Sequence, residues 1–267
     1  LVFRDYNGWN TGINIANLSS EDNQVSVTYY NYAGNVVAAE TRTIPARAME
    51  YVYTPATGNF GVGENQITAV RIQGTGPLAA AIDEVKYLGG QGQGHAMSYA
   101  AMGWLDAYAV ADPDDPLNPI PSDGRYAYET LLALPLVQKG NPTTGVGDTS
   151  GINLFNPDGE YSVNAYIQFV DSAGVPVAPT VGADDGEAPI VLPLSAGAGA
   201  TVYTLNYSEM PAGFQGSAIV GVVNHDWRDT ESTLVGVSNN VNYDVAGDGS
   251  AVYNMVAAHL YYAFFDW

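Results

Sequence analysis

A chain of 267 residues with 46% hydrophobic content is long enough for two domains and rich enough to bury their cores, which excludes wholesale disorder. Eight Lys and Arg stand against 28 Asp and Glu, a formal net charge of −20 that repels nucleic acid and anionic lipid and suits high salt or bridging cations, with plain solubility the simpler reading. The absence of cysteine excludes disulfides, thiolate zinc sites and thiol nucleophiles, and no run approaches the roughly 18 apolar residues of a membrane span.

Nineteen Tyr, 30 Gly and 15 Pro predict short β-strands punctuated by turns. The chain opens Leu1-Val2-Phe3, with no basic region followed by an apolar one. A processed start is expected, a trimmed piece being the alternative. "GINIAN" (residues 12–17) leads into a polar turn and an alternating strand with Val25, Val27 and Tyr29 on one face. "YAGNVVA" (32–38) then predicts a hairpin in which Gly34 takes a positive φ. "VYT" (52–54), Phe60, "LAAAIDEVKY" (78–87) and the glycine-rich 89–94 follow. That last stretch matches a phosphate loop only in glycine content and reads as a turn.

The same series returns in the same order. "GINLFN" (151–156), an alternating strand with Ala165, Ile167 and Phe169, "SAGVPVA" (172–178), "VYT" (202–204), Phe214 and "LVGVSNNVNY" (234–243) answer their counterparts one by one. Each copy predicts about seven strands, as in an immunoglobulin-like or similar two-sheet antiparallel sandwich. The expected fold is therefore all-β, an internal duplication of two tandem sandwiches. Residues 1–102 form the first repeat, 103–135 a stiff Pro/Asp-rich connector, and 136–267 the second repeat with its tail. The best helix candidate, 126–137, is interrupted by Pro135.

"HLYYAFFDW" (259–267) ends the chain with five aromatic residues and one formal charge. Leu1-Val2, at the start of the first repeat, match Leu136-Val137 at the start of the second. The tail stands where, mid-chain, the sequence runs on towards the next domain. It can dock on a neighbouring molecule by strand addition, fold back as the last strand of its own domain, or form a short helix. Docking is the expectation carried forward, with Leu1, Val2, Phe3, Leu260, Tyr261, Tyr262, Phe264, Phe265 and Trp267 as inter-subunit contacts. Repetition of such a contact builds a filament of copies.

Candidates for chemistry are sparse. His95, His225 and His259 lie far apart, and the run from His225 to Asp229 reads as a polar insertion more readily than as a base with its carboxylate. Neither a nucleophile elbow nor H-E-x-x-H occurs, so no enzyme and no catalytic residue is expected. Asp112, Asp114 and Asp115, with Asp123, and the run 183–187 gather hard oxygen ligands that suit calcium or are solvated acidic loops. No other cofactor is implied. Asn17 and Asn206 head N-x-S sequons and are candidates for glycosylation, whereas Asn141 is excluded by Pro142. Trp9, Trp104 and Trp227 are candidates for a glycan platform, Trp9 more readily as a plug at a core end.

The run "GWNTGINIAN", the Ala-Gly hairpin and "PAGFQGSAIV" resemble the repeat modules of bacterial cell-surface and appendage proteins, in which immunoglobulin-like sandwiches stand in tandem. The resemblance covers most of both halves. It implies a cell-surface location and a mechanical or adhesive role, and it brings no catalytic residue. The expected function is an extracellular structural subunit that polymerises head to tail; the alternative is a monomeric adhesin or carbohydrate-binding module.

Overall fold

The computed structural model describes residues 2–54, 62–88, 94–102, 130–140, 147–177, 190–208, 210–224, 234–242, 244 and 249–257. Among the described residues, eight strands build the first half: β1 (Val2–Arg4), β2 (Trp9–Asn17), β3 (Asn23–Tyr30), β4 (Val36–Ile44), β5 (Met49–Tyr53), β6 (Gln66–Gly74), β7 (Leu78–Tyr87) and β8 (Gly94–Ala100). The second half holds β9 (Thr130–Gln138), β10 (Thr149–Phe155), β11 (Val163–Asp171), β12 (Pro176–Val177), β13 (Ile190–Leu194), β14 (Gly199–Tyr203), β15 (Gln215–Asn224), β16 (Val235–Val241), β17 (Ser250–Asn254) and β18 (Val256–Ala257), with a 3-10 turn at Thr204–Asn206.

Among the described residues all pairings are antiparallel, in line with the expected antiparallel all-β fold. The first half has sheets β1-β6-β3-β4 and β5-β2-β7-β8. The second has β12-β11-β15-β9-β18, with β13 also on β11, and β14-β10-β16-β17. Strand order corresponds throughout when β12 and β13 together take the place of β4, and β18 is an addition. Period-two alternation places Val25, Val27 and Tyr29 of β3 in one core and Val163, Ala165, Ile167 and Phe169 of β11 in the other, all buried. At about 25 cal/mol per Å² of apolar surface, these facing sheets supply the main driving force for each sandwich.

The hairpins form as the Ala-Gly dipeptides predict, with φ of 85° at Gly34 and 82° at Gly174. Each is closed by the residue at the end of its strand. Asn31 Oδ1 accepts from the amides of Ala33 and Asn35, and Asp171 Oδ1 from those of Ala173 and Val175.

Two expectations are corrected. The helix candidate at 126–137 contains strand β9 instead, and the second sandwich accordingly takes in residues from Thr130 that composition assigned to the connector. β9 pairs with β15 on one side and β18 on the other, so its apolar run serves a central strand. Pro135 fits because the register to β15 shifts there, from Leu134 opposite Ala218 to Val137 opposite Gly216. This irregularity absorbs the missing amide and changes the inward parity, so that Leu132, Leu134 and Val137 are all buried.

Asn17 does not present its side chain to solvent, as a glycan acceptor would. It is 2% exposed, and its Nδ2 donates to the carbonyls of Glu21, Ile44 and Pro45 at 2.7–3.0 Å while Oδ1 accepts from Ser19 N. Asn156 does the same in the second half, with Nδ2 on Tyr161, Leu194 and Ser195 carbonyls and Oδ1 accepting from Asp158 N. The final Asn of the repeated hexapeptide thus pins the chain leaving one sheet to the strand end of the other. Asn206, by contrast, is exposed. Removing either pin strands several buried carbonyls, so Asn17→Ala and Asn156→Ala are each expected to cost about 3 kcal/mol in urea denaturation, whereas Asn206→Ala leaves the midpoint unchanged.

Candidate functional site at the seam between the sandwiches

The two sandwiches do not hang as separate beads. The outer face of β14-β10-β16-β17 is turned onto the first sandwich. Tyr32, from the β3–β4 hairpin, donates its hydroxyl to Asn153 Oδ1 at 3.1 Å, with Thr201 Oγ1 3.1 Å away, and its carbonyl accepts from Gly199 N. Burial pushes the Tyr32 hydroxyl pKa up. Tyr30 stacks obliquely on Phe155, ring centroids 5.7 Å apart. Gly34 is seated so closely against the turn at 195–198 that a Cβ would lie 2.5 Å from the Ala196 carbonyl. From the second sandwich, Val237 joins the core of the first and Val252 packs against it. Along β8 and β17, Ser250 Oγ donates to Ala96 O, Asn254 Nδ2 to Ala100 O, and Gly249 N to His95 Nδ1.

At the centre lies Glu84, fully buried on β7. Tyr99 of β8 donates its hydroxyl to Oε1 at 3.1 Å, and Asn239 of β16 donates Nδ2 to Oε2 at 3.2 Å from the other sandwich. Burial raises the carboxyl to about 7, and these two hydrogen bonds oppose the rise only in part. Tyr99 is in turn held well above its ordinary value by burial and by Glu84. This arrangement can bind and release a proton near neutrality inside an interface. One signal in the sequence could have found it: Glu84 shares the inward parity of Ile82 in "AIDEVKY", where an acid is out of place.

The other candidates fall in varied places. Val2 is buried in the core of the first sandwich, and Phe3 is buried with Trp9 and Met97 in a small cluster against which Val241 and Val252 of the second sandwich pack, so neither is presented to a neighbour. The root of the tail, Val256–Ala257, pairs with β9 of its own chain. Leu1, Leu260, Tyr261, Tyr262, Phe264, Phe265 and Trp267 lie outside the described residues, as do Asp112, Asp114, Asp115, Asp123 and the run 183–187. Among the described residues no group of three or more potential metal ligands occurs. Trp9 is buried between Phe3 and His95, a plug at the core end, while Trp104, Trp227, His225 and His259 also lie outside the described residues. No protein-family model matches the chain, and no curated protein shows significant similarity to it.

Because the folded Glu84 binds its proton more tightly than an ordinary carboxyl, its contribution to stability is full below about pH 4.5 and is lost as pH rises through about 7. The wild type minus Glu84→Gln difference in unfolding free energy is expected to fall by about 3 kcal/mol between pH 4.5 and pH 8, measured by urea denaturation across that range.

Proposed function

We propose that the protein is an extracellular, non-enzymatic structural module of a cell surface. In this reading two duplicated immunoglobulin-like sandwiches form one stiff unit, and copies associate head to tail into a filament or appendage. The seam is the observation that carries it. It joins the outer sheet face of one sandwich to the side of the other, and a contact between two different surfaces propagates along a line unless its rotation closes a ring. The acidic composition accords with a surface exposed to salt.

Strand exchange through Val2 and Phe3 is disfavoured, since both are already buried within the molecule, Val2 in the first core and Phe3 against residues of both sandwiches. Any exchange then falls to the aromatic residues between Leu260 and Trp267. A monomeric adhesin or carbohydrate-binding module is the second reading. It is favoured by Tyr51 and Tyr53, whose rings are 6.4 Å apart and within 9° of parallel beside Asn14 and Asp83.

Sedimentation over a wide concentration range, with electron microscopy of the largest species, separates the two. The structural reading expects association that grows with concentration, ends in linear assemblies and weakens when the chain is cut before His259. A monomer at every concentration, with hits on a glycan array, would establish the second reading in its place.

A further inference from the structure

The seam uses one surface from each sandwich, and the corresponding surface of the other partner is left open in both. In the second sandwich the outer face of β14-β10-β16-β17 is covered, with Asn153 and Asn239 buried. The register places Asn14 where Asn153 stands, Tyr51 where Thr201 stands, Ala81 where Val237 stands and Asp83 where Asn239 stands. This face of β5-β2-β7-β8 is open: Tyr51 is 52% exposed, Met49 is 62% exposed, and Ala81 and Ser98 are exposed. It is also ordered. Asn14 Nδ2 donates to Asp83 Oδ2 at 2.9 Å, Ser98 holds the other carboxylate oxygen, and Tyr51 rests on Gly12, where any Cβ would collide with its ring.

The reverse holds at the hairpins. Gly34 is packed into the seam, whereas a Cβ at Gly174, at the corresponding tip, would meet nothing within 4 Å. Residues 172–175 are all exposed. The turns that meet these tips differ in the same sense. Gly197 and Ala198 are buried beneath the first hairpin, but Arg47, which has the left-handed conformation of Gly197 at the corresponding turn, is exposed.

We infer that the open hairpin at 172–175 of one copy docks on the open β5-β2-β7-β8 face and the 45–48 turn of the next copy, repeating between chains the contact made inside each. The partner is a second copy because the internal seam already shows what this kind of face accepts. Charge agrees: Arg47, one of only eight Lys and Arg in the chain, is brought to the hairpin that begins with Asp171. Val170 and Ser172, smaller than Tyr30 and Tyr32 at the corresponding positions, leave room for Tyr51 and Arg47, which are larger than Thr201 and Gly197. The inference rests on the head-to-tail reading above and gives it a specific surface, independent of the tail.

The cysteine-free chain allows a direct test. Ala46→Cys and Ala173→Cys together, treated with a short bis-maleimide, are expected to give a ladder of dimers, trimers and higher species, and neither single variant should give one. Adding Ala81→Arg, an exposed substitution, should abolish the ladder without moving the melting temperature. Assembly by sedimentation without a ladder, or a ladder that survives Ala81→Arg, would overturn this docking geometry and leave the head-to-tail reading standing. A protein that stays monomeric throughout would overturn both.

Discussion

Asn239 reaches from one sandwich to a carboxylate sealed inside the other, and much of the molecule follows from that contact. A buried Glu84 without Asn239 and Tyr99 would be a polar group with no water and no partner, a cost of several kcal/mol for its charged form. The second sandwich must therefore sit where it does for the first to close. Val237 and Val252 complete the seal by adding apolar surface to a core that belongs to the other half. The two halves are joined by direct contacts of this kind between their folded faces.

The repeated hexapeptide has a physical meaning in three of its four shared positions. Its glycine, Gly12 or Gly151, lies opposite a tyrosine on the neighbouring strand, Tyr53 or Tyr203, and leaves the outer sheet face flat enough for aromatic rings or another sandwich to lie on it. Its isoleucine, Ile13 or Ile152, points inward and is fully buried. Its closing asparagine ties one carbonyl of the turn that follows it and two at a strand end of the other sheet. One short segment thus fixes the core, the outer face and the link between sheets, which accounts for the parallel organisation of the two halves.

Alternation made the strands legible: where β3 and β11 place every second residue inward, the pattern is direct evidence of a half-buried sheet. It misled at β9, because an apolar run in a central strand looks like a buried helix, and the register shift at Pro135 breaks the period that would have identified it. Apart from the inward parity of Glu84, the seam was not legible. Its polar residues, Tyr32, Asn153 and Asn239, read as ordinary solvent-facing positions, because burial by another domain leaves no periodic trace in either strand. Asn17 misled in the opposite sense, since a sequon records a local tripeptide and the three carbonyls that occupy its side chain come from elsewhere in the chain.

Amide hydrogen exchange at the seam strands tests most directly whether the two sandwiches are one body. If they are, the amides of β7, β8, β16 and β17 exchange as slowly as those of the core strands β3 and β11, through the same global opening. Fast exchange confined to those four strands, with β3 and β11 still protected, would mean that the sandwiches part freely and that the seam is not what holds the molecule together.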